Sequence, residues 1–66
     1  MLLNIKISED FKREVHLVSE RRSSSDVFIV KHYNKGILEN EVEYSEMSDA
    51  VNDYRNINLD GDEYEK

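Results

Sequence analysis

Val27-Phe28-Ile29-Val30-Lys31-His32-Tyr33, then Asn34-Lys35-Gly36, then Ile37-Leu38-Glu39-Asn40-Glu41-Val42-Glu43-Tyr44: the reading of this stretch decides the fold. Two apolar-rich runs flank a turn signal that ends in glycine, which is the pattern of a β-hairpin. A loop centred on Lys35 and Gly36 sets Ile29 opposite Val42, Tyr33 opposite Leu38 and Val27 opposite Tyr44, all on one apolar face. The other face then pairs Phe28 with Glu43, Val30 with Glu41 and His32 with Glu39. A slip of one residue, with Ile29 opposite Glu41, breaks that segregation. Asn-Lys-Gly also suits a three-residue loop, a type I turn followed by a left-handed glycine.

Downstream, Ser45 is a candidate helix N-cap, with Glu46 in the first turn where the helix dipole favours an anion. Met47, Ala50, Val51 and Tyr54 recur at helical spacing and form one apolar stripe. That helix is expected to end near Arg55 or Asn56. Residues 57–66 read as an acidic, flexible tail. Within it, Ile57 and Leu59 are apolar and close enough to fold back and lengthen the core.

Upstream, Leu3, Ile5 and Ile7 alternate with Asn4 and Lys6, so residues 2–8 read as a strand. The region 9–20 has two readings. As a second strand it pairs Ile7 with Phe11, Ile5 with Arg13 and Leu3 with Val15 around a turn at Ser8-Glu9-Asp10. As a helix it is capped by Ser8 and places Phe11, Val15 and Val18 on one side. The β-branched Val15 and Val18 favour the strand. Residues 20–26, with Arg21, Arg22 and three serines, read as a mobile polar loop. The expectation is an α+β fold: a small antiparallel meander of three to four strands with one C-terminal helix packed on one face. Residues 1–56 form its single domain.

A chain of 66 residues holds one domain at most, and one with marginal stability. It has no cysteine and therefore neither disulfides nor thiolate metal sites. No window approaches the roughly 18 apolar residues of a membrane span. The start of the chain lacks the basic region and long apolar core of a signal peptide, which points to the cytoplasm. The net charge of −6 is unevenly placed. Residues 1–36 carry seven Lys/Arg against five Asp/Glu; residues 37–66 carry two against ten. Such a surface is wrong for direct nucleic-acid binding, which needs basic residues for counterion release.

The carboxylates are the leading functional candidates. Glu39, Glu41 and Glu43 share one strand face at about 6.6 Å spacing, twice the rise per residue. Glu46, Asp49 and Asp53 follow on the helix. Close like charges repel and cost stability, so a row of this kind suits a basic partner as well as a solubilising surface. Its spacing is also of the order of a phosphate repeat, which suggests mimicry of nucleic acid. Other chemistry is weaker. Asn56, Asn58, Asp60 and Gly61 resemble the first half of an EF-hand or dockerin calcium loop. Glu63 replaces the apolar eighth position, and the bidentate twelfth position falls beyond Lys66. His16 and His32 are the only histidines; His32 beside Glu39 reads as a surface ion pair rather than a zinc ligand. Ser23, Ser24 and Ser25 lack a glycine elbow and a base, and no enzyme is expected. The basic residues Lys12, Arg13, Arg21, Arg22, Lys31 and Lys35 lack interleaved aromatics and suit pairing with carboxylates of this chain or of a second copy.

These features describe a small acidic protein-binding module, without cofactor, that occludes a basic surface of a larger partner. In size and charge it is similar to the anti-restriction and anti-CRISPR inhibitors of phages. Glu39, Glu41, Glu43, Glu46, Asp49 and Asp53 are its expected binding residues. The alternative is a structural subunit or homodimer that binds through the apolar residues Phe28 and Val30.

Overall fold

A computed structural model describes residues 1–59. Four strands, β1 (Leu2–Ile7), β2 (Arg13–Arg22), β3 (Ser25–Asn34) and β4 (Ile37–Tyr44), are followed by one helix, α1 (Met47–Asn56). The strands pair antiparallel in the order β1-β2-β3-β4, a meander with β1 and β4 at its edges. The helix packs on one face, so the expected α+β architecture is the one found. Residues 9–20 are resolved in favour of the strand.

The β3–β4 turn has Lys35 at φ 54° and Gly36 at φ 80°. Two successive positive φ values make a type I′ hairpin turn, whose twist matches that of the strands it joins. The expected register holds only beside this turn, where Tyr33 faces Leu38. A bulge then skips Glu39, and beyond it His32 faces Asn40, Lys31 faces Glu41, Val30 faces Val42 and Ile29 faces Glu43. The extra residue shifts the rest of the strand by one position, and a shift of one exchanges its cross-strand partners. The expected pairs Ile29–Val42, Val27–Tyr44, Phe28–Glu43, Val30–Glu41 and His32–Glu39 are therefore all replaced.

The loop between β2 and β3 is not the long polar segment expected over residues 20–26. β2 runs to Arg22 and β3 starts at Ser25, leaving Ser23 and Ser24 as a two-residue turn with Ser23 at φ 52°. The β1–β2 loop is longer than its expected turn, which moves that register too: Ile7 faces Glu14 and Ile5 faces His16. Ser8 builds this loop. It is buried, its Oγ donates to Asp10 Oδ1 (2.6 Å), and the Arg13 amide donates to the same Oγ (3.0 Å). Asp10 Oδ1 also accepts from the Lys12 amide (3.0 Å). Both bonds stabilise the ionised Asp10 and hold its pKa below the ordinary value, the Ser8 hydroxyl contributing most. Phe11 takes the left-handed φ of 61° that closes the loop.

The core lies between the sheet and α1. Val15, Leu17, Val30, Ala50 and Tyr54 form its buried cluster, with Leu3, Phe28, Tyr44, Val51, Ile57 and Leu59 packed around it. Ile57 and Leu59 thus fold back onto the core as the sequence suggested; residues 60–66 lie outside the described chain. The helix starts one residue later than expected. Glu46, at φ −114° and ψ 132°, is the N-cap, and its carbonyl accepts from the Ala50 amide (3.3 Å). Ser45 is one position too early to cap, and no side chain caps this end. At the other end Lys6 Nζ donates to the carbonyls of Tyr54 (2.7 Å) and Ile57 (2.9 Å). A cation satisfying the last carbonyls is the favourable sign for a helix C-terminus. It anchors β1 to the helix from the same face as Val15.

Candidate partner-binding site

Alternation along the strands sends each carboxylate to a definite side of the sheet. Val42 and Tyr44 face Val30 and Phe28, which belong to the helix-covered core. Glu41 and Glu43 therefore point to the open face, with Lys31 and Ile29 as cross-strand partners. Glu39 sits at the bulge, and Asn34 Nδ2 donates to its Oε2 (3.2 Å). All three are exposed along an edge strand that is itself exposed over almost its whole length.

The row is not uniformly free. Arg22 Nη1 and Nη2 donate to Glu43 Oε1 (2.9 Å) and Oε2 (3.0 Å), a bidentate pair. Nη2 and Nε also reach Glu20 Oε1 at 3.0 and 3.3 Å. These bonds, the one to Glu43 first, raise the Arg22 pKa. Arg22 and Glu20 belong to β2 and Glu43 to β4, so this ion triad spans the open face across β3. It crosses where Val27 pairs with Glu20 and Ile29 pairs with Glu43. Ile29 is 1% exposed there although no helix covers that side. The hydrocarbon stems of the triad, with Val18 on β2, account for its burial.

The helix carboxylates lie elsewhere. Asp53 is half-buried and accepts from the Tyr44 hydroxyl (2.7 Å), a bond that ties β4 to α1. It raises the Tyr44 pKa, because ionisation would destroy the donor and set two anions together. Asp49 and Glu46 are exposed. No hydrogen bond or ion pair among the described residues engages the side-chain carboxylates of Glu41, Glu46 or Asp49. The six expected binding residues thus fall in two groups. Glu41 and Glu43 mark the open side of the β4 edge, with Glu39 off that row at the bulge; Glu46, Asp49 and Asp53 lie on the helix that covers the other side.

The alternative binding residues are corrected by the same parity. Val30 is fully buried and Phe28 packs against the core, so neither is an exposed contact. Of the apolar residues that sequence reading assigned to the inside, Ile5 (38%) and Ile7 (46%) on β1, Leu38 and Val42 on β4 and Met47 on α1 are exposed, and Leu2 (52%) is exposed beside them on β1. Phe11 is 79% exposed at the tip of its loop. The alternating pattern of β1 was legible, but which side it addresses depends on the pairing partner.

His32 faces Asn40 rather than Glu39. It is His16 that meets a carboxylate: Nε2 lies 2.9 Å from Glu14 Oε1, with the Tyr33 ring 4.5 Å from its own. Among the described residues no group of three or more potential ligands could hold a metal ion, there is no pocket, and no helix is long and apolar enough to cross a membrane. Asn56 Nδ2 donates to the Asn52 carbonyl (2.9 Å). Asp60 and Gly61, which complete the calcium-loop resemblance, lie outside the described residues. No protein-family model matches this chain, and neither a curated protein nor a solved structure is similar to it.

Proposed function

We propose that this chain is a non-catalytic protein-binding module that presents the acidic edge of β4 to a basic surface of a larger partner, such as the groove of a nucleic-acid-binding protein. The observation that carries this reading is the exposure of Glu39 and Glu41 on an edge strand, with Glu46 and Asp49 exposed just beyond its end. Each carboxylate there is open to a partner's lysine or arginine. Glu43 and Asp53 take a different part: held by Arg22 and Tyr44, they stiffen the edge and its junction with the helix. Size and charge support an inhibitor of the phage-encoded kind.

Affinity capture from the native host, followed by mass spectrometry, supplies the partner. The triple variant Glu39→Lys, Glu41→Lys and Glu46→Lys leaves intact the two carboxylates held by Arg22 and Tyr44. It is expected to lose that partner, and wild-type binding is expected to weaken steeply with salt. Duplex DNA should compete for the captured protein. Undiminished capture by the triple variant would sink the proposal.

A further inference from the structure

We propose that the open edge of β1 takes the same edge of a second copy of this chain, antiparallel about a two-fold axis at Ile5, to give one continuous eight-stranded sheet. β1 pairs only with β2, so its outer side carries unpaired backbone groups. The inward amides fall on even positions, as Ser8 N donating to the Arg13 carbonyl shows. Ile5 and Ile7 therefore turn their amides outward. In the single chain the Ile5 amide is satisfied only by its neighbour, Asn4 Oδ1, at 2.8 Å. A second strand replaces that local bond with a ladder bond.

The two edges of the sheet are guarded very differently. β4 carries three glutamates and a bulge, both devices that discourage strand addition. β1 has neither. Its one charged residue, Lys6, is turned to the helix and bound to the Tyr54 and Ile57 carbonyls. What it offers outward is Leu2, Ile5 and Ile7, all partly exposed on the open face.

Charge selects the occupant. About a two-fold axis at Ile5, Ile5 meets Ile5 of the second copy and Lys6 meets Asn4, within the regular stretch that follows the irregularity at Leu3, so no like charges face one another. The contact uses the half of the chain with excess positive charge and leaves the acidic β4 edges at the two far ends, each about 14 Å from its own β1 at three strand spacings. Pairing β1 with a second copy's β4 instead sets Ile5 and Ile7 beside glutamates and builds an open chain of subunits. The two-fold dimer stands independently of the acidic reading: a failed capture experiment leaves it untouched. If both hold, the dimer displays two acidic edges facing opposite ways.

Sedimentation equilibrium over a concentration series reads the mass directly. The expected result is a rise from 7.8 kDa to twice that value. Ile5→Lys, at a part-exposed position, is expected to keep the circular dichroism of the parent and lose at least about tenfold in dimer affinity. The absence of cysteine permits a second, geometric test. In an antiparallel hydrogen-bonded pair the Cα atoms lie about 5.5 Å apart, within disulfide range. Oxidised Ile5→Cys should therefore link into a covalent dimer much faster than Glu41→Cys. A monomer at every concentration, a dimer unaffected by Ile5→Lys, or equal cross-linking of the two cysteine variants would each overturn the assignment.

Discussion

Ile29 and Val30 are neighbours in sequence, both are fully enclosed, and they are enclosed by different means on opposite sides of one sheet. Val30 lies in the cluster with Leu17, Ala50 and Tyr54 under the helix. Ile29 faces away from the helix, between Val18 and Glu43, beneath the Arg22 triad. One face is closed by a second layer of secondary structure. The other is closed locally by the stems of charged side chains, and only at the centre of the sheet. Toward β1 it stays open, with Leu2, Ile5 and Ile7 exposed. A domain this small has one helix to spend, so its second face must either be roofed by long polar side chains or left for another molecule.

The sharpest way to break this comparison is to truncate one residue on each side. Leu17→Ala is expected to cost about 2–5 kcal/mol, as in other buried cores. That is comparable with the whole stability of about 3–5 kcal/mol available to a chain of this size, so the variant should be largely unfolded at room temperature. Ile29→Ala should fall at about 2 kcal/mol, because the mobile stems over it can collapse into the space. Urea denaturation of both variants checks this. A larger loss at Ile29 than at Leu17 would mean that the open face holds a core of its own.

The helix side also holds the one polar group that burial leaves unserved. Among the described residues the Tyr54 hydroxyl is fully buried and has no hydrogen-bond partner. Burial alone pushes its pKa up. Lys6 Nζ sits 4.8 Å from the ring centroid, a contact phenylalanine would keep. Tyr54→Phe is thus expected to raise stability by about 1 kcal/mol, measured as a higher urea midpoint with an unchanged slope. A loss on substitution would show that the hydroxyl is satisfied, and the covered face would then be fully paired.

The smallest effect concerns the junction of the two layers. Tyr44, with its folded pKa above the ordinary 10.0, contributes through its bond to Asp53 only while protonated. That contribution is complete below pH 10 and is lost as pH rises through the folded value. In alkaline melts the wild type should lose this increment and Tyr44→Phe should not. Parallel pH profiles for the two proteins would remove Asp53 from the helix–sheet junction.

Much of the fold was legible in the residues themselves. Lys35-Gly36 marked the hairpin turn, Met47, Ala50, Val51 and Tyr54 marked the helix, and β-branched residues marked β2 as a strand. The stripe was not perfect: Ala50 and Tyr54 are buried, Val51 is half-buried, and Met47 remains 48% exposed. The exposure of the β4 glutamates was legible as well, and Glu41 and Glu43, alternating with Val42 and Tyr44, do share a side; Glu39 does not belong to that row, because the bulge interrupts the alternation there. Their ties to Arg22 and Asn34 were not legible, since a two-residue turn at Ser23-Ser24 was needed to bring Arg22 near β4.

Local sequence by itself determined where the chain extends, where it coils and where it reverses, because propensity and spacing act within a few residues. Only the tertiary structure decided which side each strand buries. The run of four apolar residues at 27–30 has no alternation and fits either face, and the bulge at Glu39 shifts the register without leaving a trace in the pattern. The helix settles it by covering the side on which Phe28 and Val30 lie, and the β1–β2 register then leaves Ile5 and Ile7 on the uncovered side, facing water.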